Sequence, residues 1–278
     1  MNRKICACLL SALILSAEAA PTVHFVVEGQ EIEVVRNQWK GKKVAFLGDS
    51  ITDKQHVGTT KCYWEYLIDL LGLEAFSYGI NGNQMDGLLK QAECLYKEWG
   101  EDIDAIVIFA GTNDYNAGVP LGEWYEEVWR NVPLPDGEVG SRRYRKPAMD
   151  ANTFRGRINR LMDYLKTHFP AKQVIVLTPL HRGFAQFSAG NVQPEEAYPN
   201  KIGVYVDEYV QVLKETGNVW AVPVIDLNSI SGLYPMNDAQ ACYFHRADTD
   251  RLHPNAEGHR RMAVALMYQL LAFPASFD

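Results

Sequence analysis

Runs of consecutive apolar, largely β-branched residues recur at positions 44–47, 105–110, 174–177 and 222–227, with a weaker run at 74–78. Between them, apolar residues fall three and four positions apart over 63–71, 85–99, 154–169, 204–213 and 262–271. The first pattern predicts strands and the second predicts helices with one apolar face. Strands that alternate with helices imply a parallel sheet. Because these strands are apolar throughout, and not at every second position, both faces of the sheet need cover. The pattern predicts a single three-layer α/β/α domain.

The alternation breaks in three places. Residues 115–150 are rich in Pro and Gly and carry Trp124, Tyr125 and Trp129, and residues 181–198 follow another predicted strand. Both insertions belong to the carboxyl edge of the sheet, where open parallel sheets hold their ligands. Residues 22–37 read as a hairpin around Glu28-Gly29, within an extension over 20–42 that precedes a domain over 43–278. Ahead of it, Arg3 and Lys4 introduce an apolar stretch that ends in Ala17-Glu18-Ala19. This is the signature of a cleavable signal peptide over 1–19, cut after Ala19, and predicts a secreted or periplasmic protein without stable membrane insertion.

The 278-residue chain has a formal charge of −7, which becomes −8 when the two positive charges and one negative charge of residues 1–19 are set aside. That balance argues against nucleic acid or an anionic membrane as the main partner. Beyond the leader only Cys62, Cys94 and Cys242 remain, enough for one disulfide at most, so thiol chemistry is not an expected centre of function.

The chemistry concentrates at strand ends. The run Val44-Ala45-Phe46-Leu47 passes straight into Gly48-Asp49-Ser50, a tight turn after which a helix is expected. A serine hydroxyl becomes a useful nucleophile only beside a base whose tautomer a carboxylate fixes. Asp250 and His253 offer that pair, with Pro254 holding His253 out of helical geometry on a loop before the last helix. Gly79-Ile80-Asn81-Gly82 follows the second predicted strand and Gly111-Thr112-Asn113-Asp114 the third, supplying donors for an oxyanion: Ser50 N–H, Gly82 N–H and the Asn113 amide. Each residue alone fits a bland role as turn former or cap; four junctions on one sheet edge do not reduce to capping.

These four blocks, Gly48-Asp49-Ser50, Gly79-Ile80-Asn81-Gly82, Gly111-Thr112-Asn113-Asp114 and Asp250-Arg251-Leu252-His253-Pro254, resemble those of the SGNH, or GDSL, serine hydrolases in order and spacing. The resemblance implies a flavodoxin-like sheet of five parallel strands in order 2-1-3-4-5, Ser50 as nucleophile, His253 as base, Asp250 as its orienter, and an oxyanion hole from Ser50, Gly82 and Asn113. It implies a serine esterase working through an acyl-enzyme, with no metal and no cofactor. Asn81 and the Asn83-Gln84 pair depart from the usual second block, which makes Gly82 the least firmly matched of the five.

For substrate, the expectation is removal of acetyl or other small acyl groups from carbohydrate, with an acylated small molecule or polysaccharide as partner. Trp124, Tyr125, Trp129 and Tyr144 offer sugar-stacking faces, and Asp49, His181 and Arg182 stand as further substrate contacts. Arg142, Arg143, Arg145 and Lys146 suit uronate carboxylates or a merely solvated loop. A broad small-ester esterase, a lysophospholipase and a non-catalytic carbohydrate-binding protein are the alternatives. A metal-dependent hydrolase built on His245, Asp248, Asp250 and His253 ranks below them, because the spacing lacks a helical ligand pair.

Overall fold

The computed structural model describes residues 22–27, 30–35 and 37–277; the segment expected to be a signal peptide, residues 1–19, lies outside them. The chain divides into two compact units, residues 1–37 and 38–278. In the first, β1 (Thr22–Val27) pairs antiparallel with β2 (Gln30–Val35), Val27 opposite Gln30; the expected turn residues 28 and 29 are outside the described set.

The second unit is built on β3 (Lys43–Gly48), α1 (Tyr63–Leu71), β4 (Glu74–Ser77), α2 (Gly87–Trp99), β5 (Ala105–Phe109) and α3 (Thr112–Ala117). A hairpin of β6 (Tyr125–Pro133) and β7 (Val139–Pro147) follows, then α4 (Phe154–His168), β8 (Gln173–Leu177), β9 (Ala185–Ser188) and β10 (Asn191–Gln193). The chain closes with α5 (Val206–Trp220), β11 (Val224–Ile225), α6 (Leu227–Ile230), a 3-10 turn (Asp238–Tyr243), β12 (Phe244–Arg246), β13 (Asp250–Pro254) and α7 (Ala256–Leu270).

The central sheet runs β4-β3-β5-β8-β11, all parallel; counting its five strands along the chain gives 2-1-3-4-5. Its continuous apolar strands have the predicted cause. On β3, Ala45 and Leu47 join a core shared with α2, α4 and α5, while Val44 and Phe46 join a second core shared with α1 and α7. On β5, Ile106 and Ile108 go to the first core and Val107 and Phe109 to the second. Each strand therefore sends alternate side chains into two apolar layers, burying both faces.

The structure corrects several boundaries. No helix follows Ser50; turns fill the gap until α1 starts at Tyr63, where the Glu65 carboxylate accepts from the Cys62 N–H at 2.7 Å as part of a capping box. The expected strand over 222–227 shrinks to Val224–Ile225, because Pro223 has no N–H to donate and Asp226 already caps α6. The last helix begins at Ala256, since Asn255 accepts from Glu257 N–H and Gly258 N–H and so sets its start. The helix expected over 204–213 continues to Trp220, with Leu213 and Thr216 still on its buried face.

Both insertions hold strands. β6 and β7 pair over nine residues each as a ribbon exposed on both faces. Strands β10-β9-β13-β12 make a small antiparallel sheet, so Asp250 and His253 sit on a strand and not on the loop expected before the last helix. Among the described residues, no helix is long and apolar enough to cross a membrane.

Candidate active site

The turn after β3 is held from below. Gln91 on α2 donates to Gly48 O at 2.8 Å and accepts from Gly48 N–H at 2.9 Å, clamping the last residue of the strand from both sides. A Cβ on Gly48 would lie 2.4 Å from Thr52 Oγ1 and 2.7 Å from Phe109 O, so only glycine lets the chain fold back here. Asp49 is buried; its Oδ1 accepts from Ile51 N–H at 3.1 Å, and burial, opposed by that bond, pushes its carboxyl up to about 7.

Ser50 Oγ lies 2.9 Å from His253 Nε2. His253 Nδ1 lies 3.0 Å from Asp250 Oδ2 and 3.2 Å from Oδ1. All three are buried. Asp250 Oδ1 also accepts from Leu252 N–H at 3.2 Å and His253 N–H at 3.1 Å, an arrangement that fixes the carboxylate against its own strand. Burial works to raise the Asp250 pKa, but the hydrogen bond and charge of His253, with the His245 bond and the His253 N–H behind them, hold it below the usual carboxylate value. An ionised Asp250 obliges Nδ1 of His253 to carry its proton, leaving Nε2 to accept from Ser50 Oγ.

The donor loops converge on the same edge. Tyr78 N–H donates to Phe46 O and Ile80 N–H to Gly48 O, carrying the β3–β4 pairing on into the second block. Asp53 Oδ2 accepts from Asn81 N–H at 2.8 Å, and Asp114 Oδ2 accepts from Met85 N–H at 2.8 Å. Asn113 Nδ2 donates to Asn83 O at 2.9 Å, spending one of its two amide hydrogens. Gly82 has φ +79°, and among the described residues neither its N–H nor that of Ser50 has a protein acceptor. Two backbone donors and the second Asn113 hydrogen are therefore unspent on a rim that the first three blocks share. Asp114 is itself clamped by Arg157 at 2.7 Å; burial raises its pKa to about 6, against the pull of Met85 N–H and Arg157.

Other expected contacts separate from this group. Arg182 is buried: its guanidinium donates to Thr112 O, Thr112 Oγ1 and Gln193 Oε1 and lies 5.0 Å from the Tyr115 ring centre, so it braces α3, while among the described residues its Nε–H has no protein acceptor. Trp124 donates to Glu215 Oε2 at 2.7 Å, and Arg155 lies over its ring, which places it on the α4–α5 layer. Tyr125 is covered by Arg145 on the ribbon, and Trp129, 69% exposed, stands farther out opposite Arg143. Among the described residues, no hydrogen bond or ring contact joins these three aromatics to Ser50 or His253. His181 stays near Asp49: with Asp49, Ile51, Thr112, Leu180 and Leu252 it lines a small cavity of about 10 Å³, its ring tied to Glu196 at 2.7 Å. That bond, against burial, raises the His181 pKa.

The metal reading has no geometric support. His245 and His253 both direct Nδ1 at Asp250, and His253 turns Nε2 to Ser50, so their ligand atoms do not converge with Asp248. Among the described residues only His56, Cys62 and Glu65 bring ligand atoms within 4.8 Å of one another, and there His56 Nε2 is hydrogen-bonded to Glu65 at 2.8 Å. Cys62, Cys94 and Cys242 are free thiols.

Sequence reasoning missed Gln91, Arg157 and the supporting use of His245. Gln91 and Arg157 lie on helices far from any motif, with only their polarity on an apolar face as a signal. Asp53 and Asp114 closed quoted blocks without being assigned a task.

A parallel sheet in 2-1-3-4-5 order with a serine–histidine–aspartate chain at its carboxyl edge defines a hydrolase of the SGNH class. The model of the GDSL-like lipase/acylhydrolase family matches residues 46–261, and the chain belongs to that family. Among solved structures, a protein from Lactobacillus plantarum is 27% identical with TM-score 0.64, the match covering 84% of this chain and 98% of that one. A possible lipase from Chitinophaga pinensis is 20% identical with TM-score 0.60, over 83% and 98% of the two chains. An acetyl xylan esterase from Geobacillus stearothermophilus is 19% identical with TM-score 0.51, over 84% and 97%. The last two likenesses are of fold. No curated protein matches the chain.

Proposed function

We propose that the protein is an exported serine esterase that removes acetyl or similarly small acyl groups from carbohydrate, with Ser50 as nucleophile. The observation that carries the reading is the Ser50 Oγ to His253 Nε2 contact of 2.9 Å, continued by Asp250 on the far side of the same ring. Ser50 Oγ attacks the ester carbonyl carbon while its proton passes to His253 Nε2. The charge that develops on the carbonyl oxygen is met by Ser50 N–H, Gly82 N–H and Asn113 Nδ2. As the tetrahedral adduct collapses, the carbon–oxygen bond to the alcohol breaks and His253 returns the proton to that oxygen. Water then repeats the sequence on the acyl-enzyme, releasing the acid and restoring Ser50. Asp250 stays ionised and holds the imidazolium in place at each step.

The small-acyl preference rests on the tightness of the pocket beside Asp49 and Leu252, about 10 Å³, whose apolar wall of Ile51, Phe109, Ala110 and Leu180 leaves no room for a long chain. The carbohydrate preference draws on the fold likeness to an acetyl xylan esterase. The export reading rests on the basic and apolar leader before Ala19. Purified protein should hydrolyse p-nitrophenyl acetate faster than the butyrate and octanoate esters, and Ser50→Ala should leave only background. A preference for octanoate would remove the small-acyl reading. Release of acetate from acetylated xylan, compared with turnover of a lysophospholipid, separates the carbohydrate reading from its rival.

A further inference from the structure

Asp250 carries a second histidine. His245 Nδ1 lies 2.9 Å from Asp250 Oδ2, the same oxygen that His253 Nδ1 approaches at 3.0 Å. The strand pairing explains how both rings reach one carboxylate. Phe244 is opposite Pro254 and Arg246 is opposite Asp250, with an irregular step between, so His245 faces the bulged stretch that contains His253. A loop backbone closes over the two rings: a Cβ on Gly58 would come within 2.8 Å of His253 Cβ and 3.1 Å of His245 Cβ.

We propose that His245 is a positioning residue for the reaction at Ser50: it donates Nδ1–H to Asp250 Oδ2, fixes the rotation of that carboxylate, and so aligns His253. This rests on the nucleophile reading given above. A carboxylate only accepts, so both rings must donate through Nδ1. With Leu252 N–H and His253 N–H on Oδ1, the carboxylate is then held at both oxygens and cannot turn away from His253 during proton transfer. Outer partners that align metal ligands are worth roughly ten- to a hundredfold, and a loss of similar order is expected here.

His245 is also the member of the group in touch with solvent. Its side chain is 40% exposed, against 5% for His253 and 6% for Asp250, and it lines an open cleft with His56, Thr59, Asn255 and Glu257. The charged and titratable groups facing it are Asp250 and His253 on β13, His56 with its partner Glu65, and Glu257 on α7.

The test is steady-state hydrolysis of p-nitrophenyl acetate across pH 5 to 9 by wild type, Ser50→Ala, His245→Ala and His245→Asn, with thermal melting as the fold control. Asn places an amide donor near the position of Nδ1. The expected result is a fall of about tenfold in kcat for His245→Ala with KM changed less than about threefold, and recovery to within about threefold for His245→Asn. Wild-type kcat in His245→Ala would overturn the inference while leaving the nucleophile in place. Activity retained by Ser50→Ala would instead defeat the reading on which it rests.

Discussion

Ser50 owes its setting to contacts among its neighbours. Gln91 clamps Gly48, Asp53 ties the first block to Asn81, and Asn113 reaches across to Asn83, so the donor rim is assembled before any substrate arrives. Removing the proton acceptor should cost more than removing its orienter: His253→Ala is expected to lower kcat by about 10⁴-fold or more, and Asp250→Asn by roughly tenfold to a hundredfold less, measured on p-nitrophenyl acetate. Equal losses would mean that Asp250 does more than orient. Asp49 supplies a stability prediction at the same scale. Its carboxyl titrates near 7 in the folded chain because burial disfavours the charge, against about 3.8 when free, so its contribution is present below the free value and is lost as pH rises through 7. Asp49→Asn keeps the acceptor for Ile51 N–H without the charge. Its Tm should gain on wild type from pH 4 to about pH 7 and level off above that; parallel curves throughout would contradict the assigned pKa.

Elements were legible where burial imposed a pattern. The strands 44–47, 105–110 and 174–177 were readable because both faces pack, and α1 fell on residues 63–71 because its apolar stripe and its start agree. The β6–β7 ribbon was not legible: Glu126, Glu127, Arg142 and Arg143 alternate with no buried face, so no apolar period marks the strands. It is held by cross-strand pairs such as Glu127 with Arg143 and Glu126 with Lys146, and by stacking of Arg130 on Tyr144. Its root is fixed where Asn159 donates to Trp124 O and Ala148 O. Replacing residues 127–145 with a short turn should therefore leave kcat/KM on p-nitrophenyl acetate within about twofold and Tm within about 3 °C. A tenfold loss of activity would make the ribbon part of the site.

For the second unit as a whole, fold and site were legible to different depths. Strand order and the proximity of Ser50, His253 and Asp250 could be read because the chemistry expected of them needs fixed residue types at strand ends, and the ends recur in order along the chain. The supporting contacts came from folding alone: β13 exists because β9 and β12 pair with it, and that pairing puts His253 on a strand and turns His245 onto Asp250. Substrate contacts were the least legible part. Aromatic and basic residues in 115–150 look alike in sequence whether they face a ligand, a helix layer or water, and the structure sends Trp124 to the second of these and Trp129 to the third.

The central claim is that Ser50 Oγ forms the covalent intermediate. Wild type and Ser50→Ala, treated with a serine-directed phosphonate and digested for mass spectrometry, test it without reference to any natural substrate. The account predicts one adduct on the wild-type peptide containing Ser50, full loss of esterase activity in proportion to labelling, and no adduct in Ser50→Ala. Labelling at another serine, or equal esterase activity in the two proteins, would contradict it.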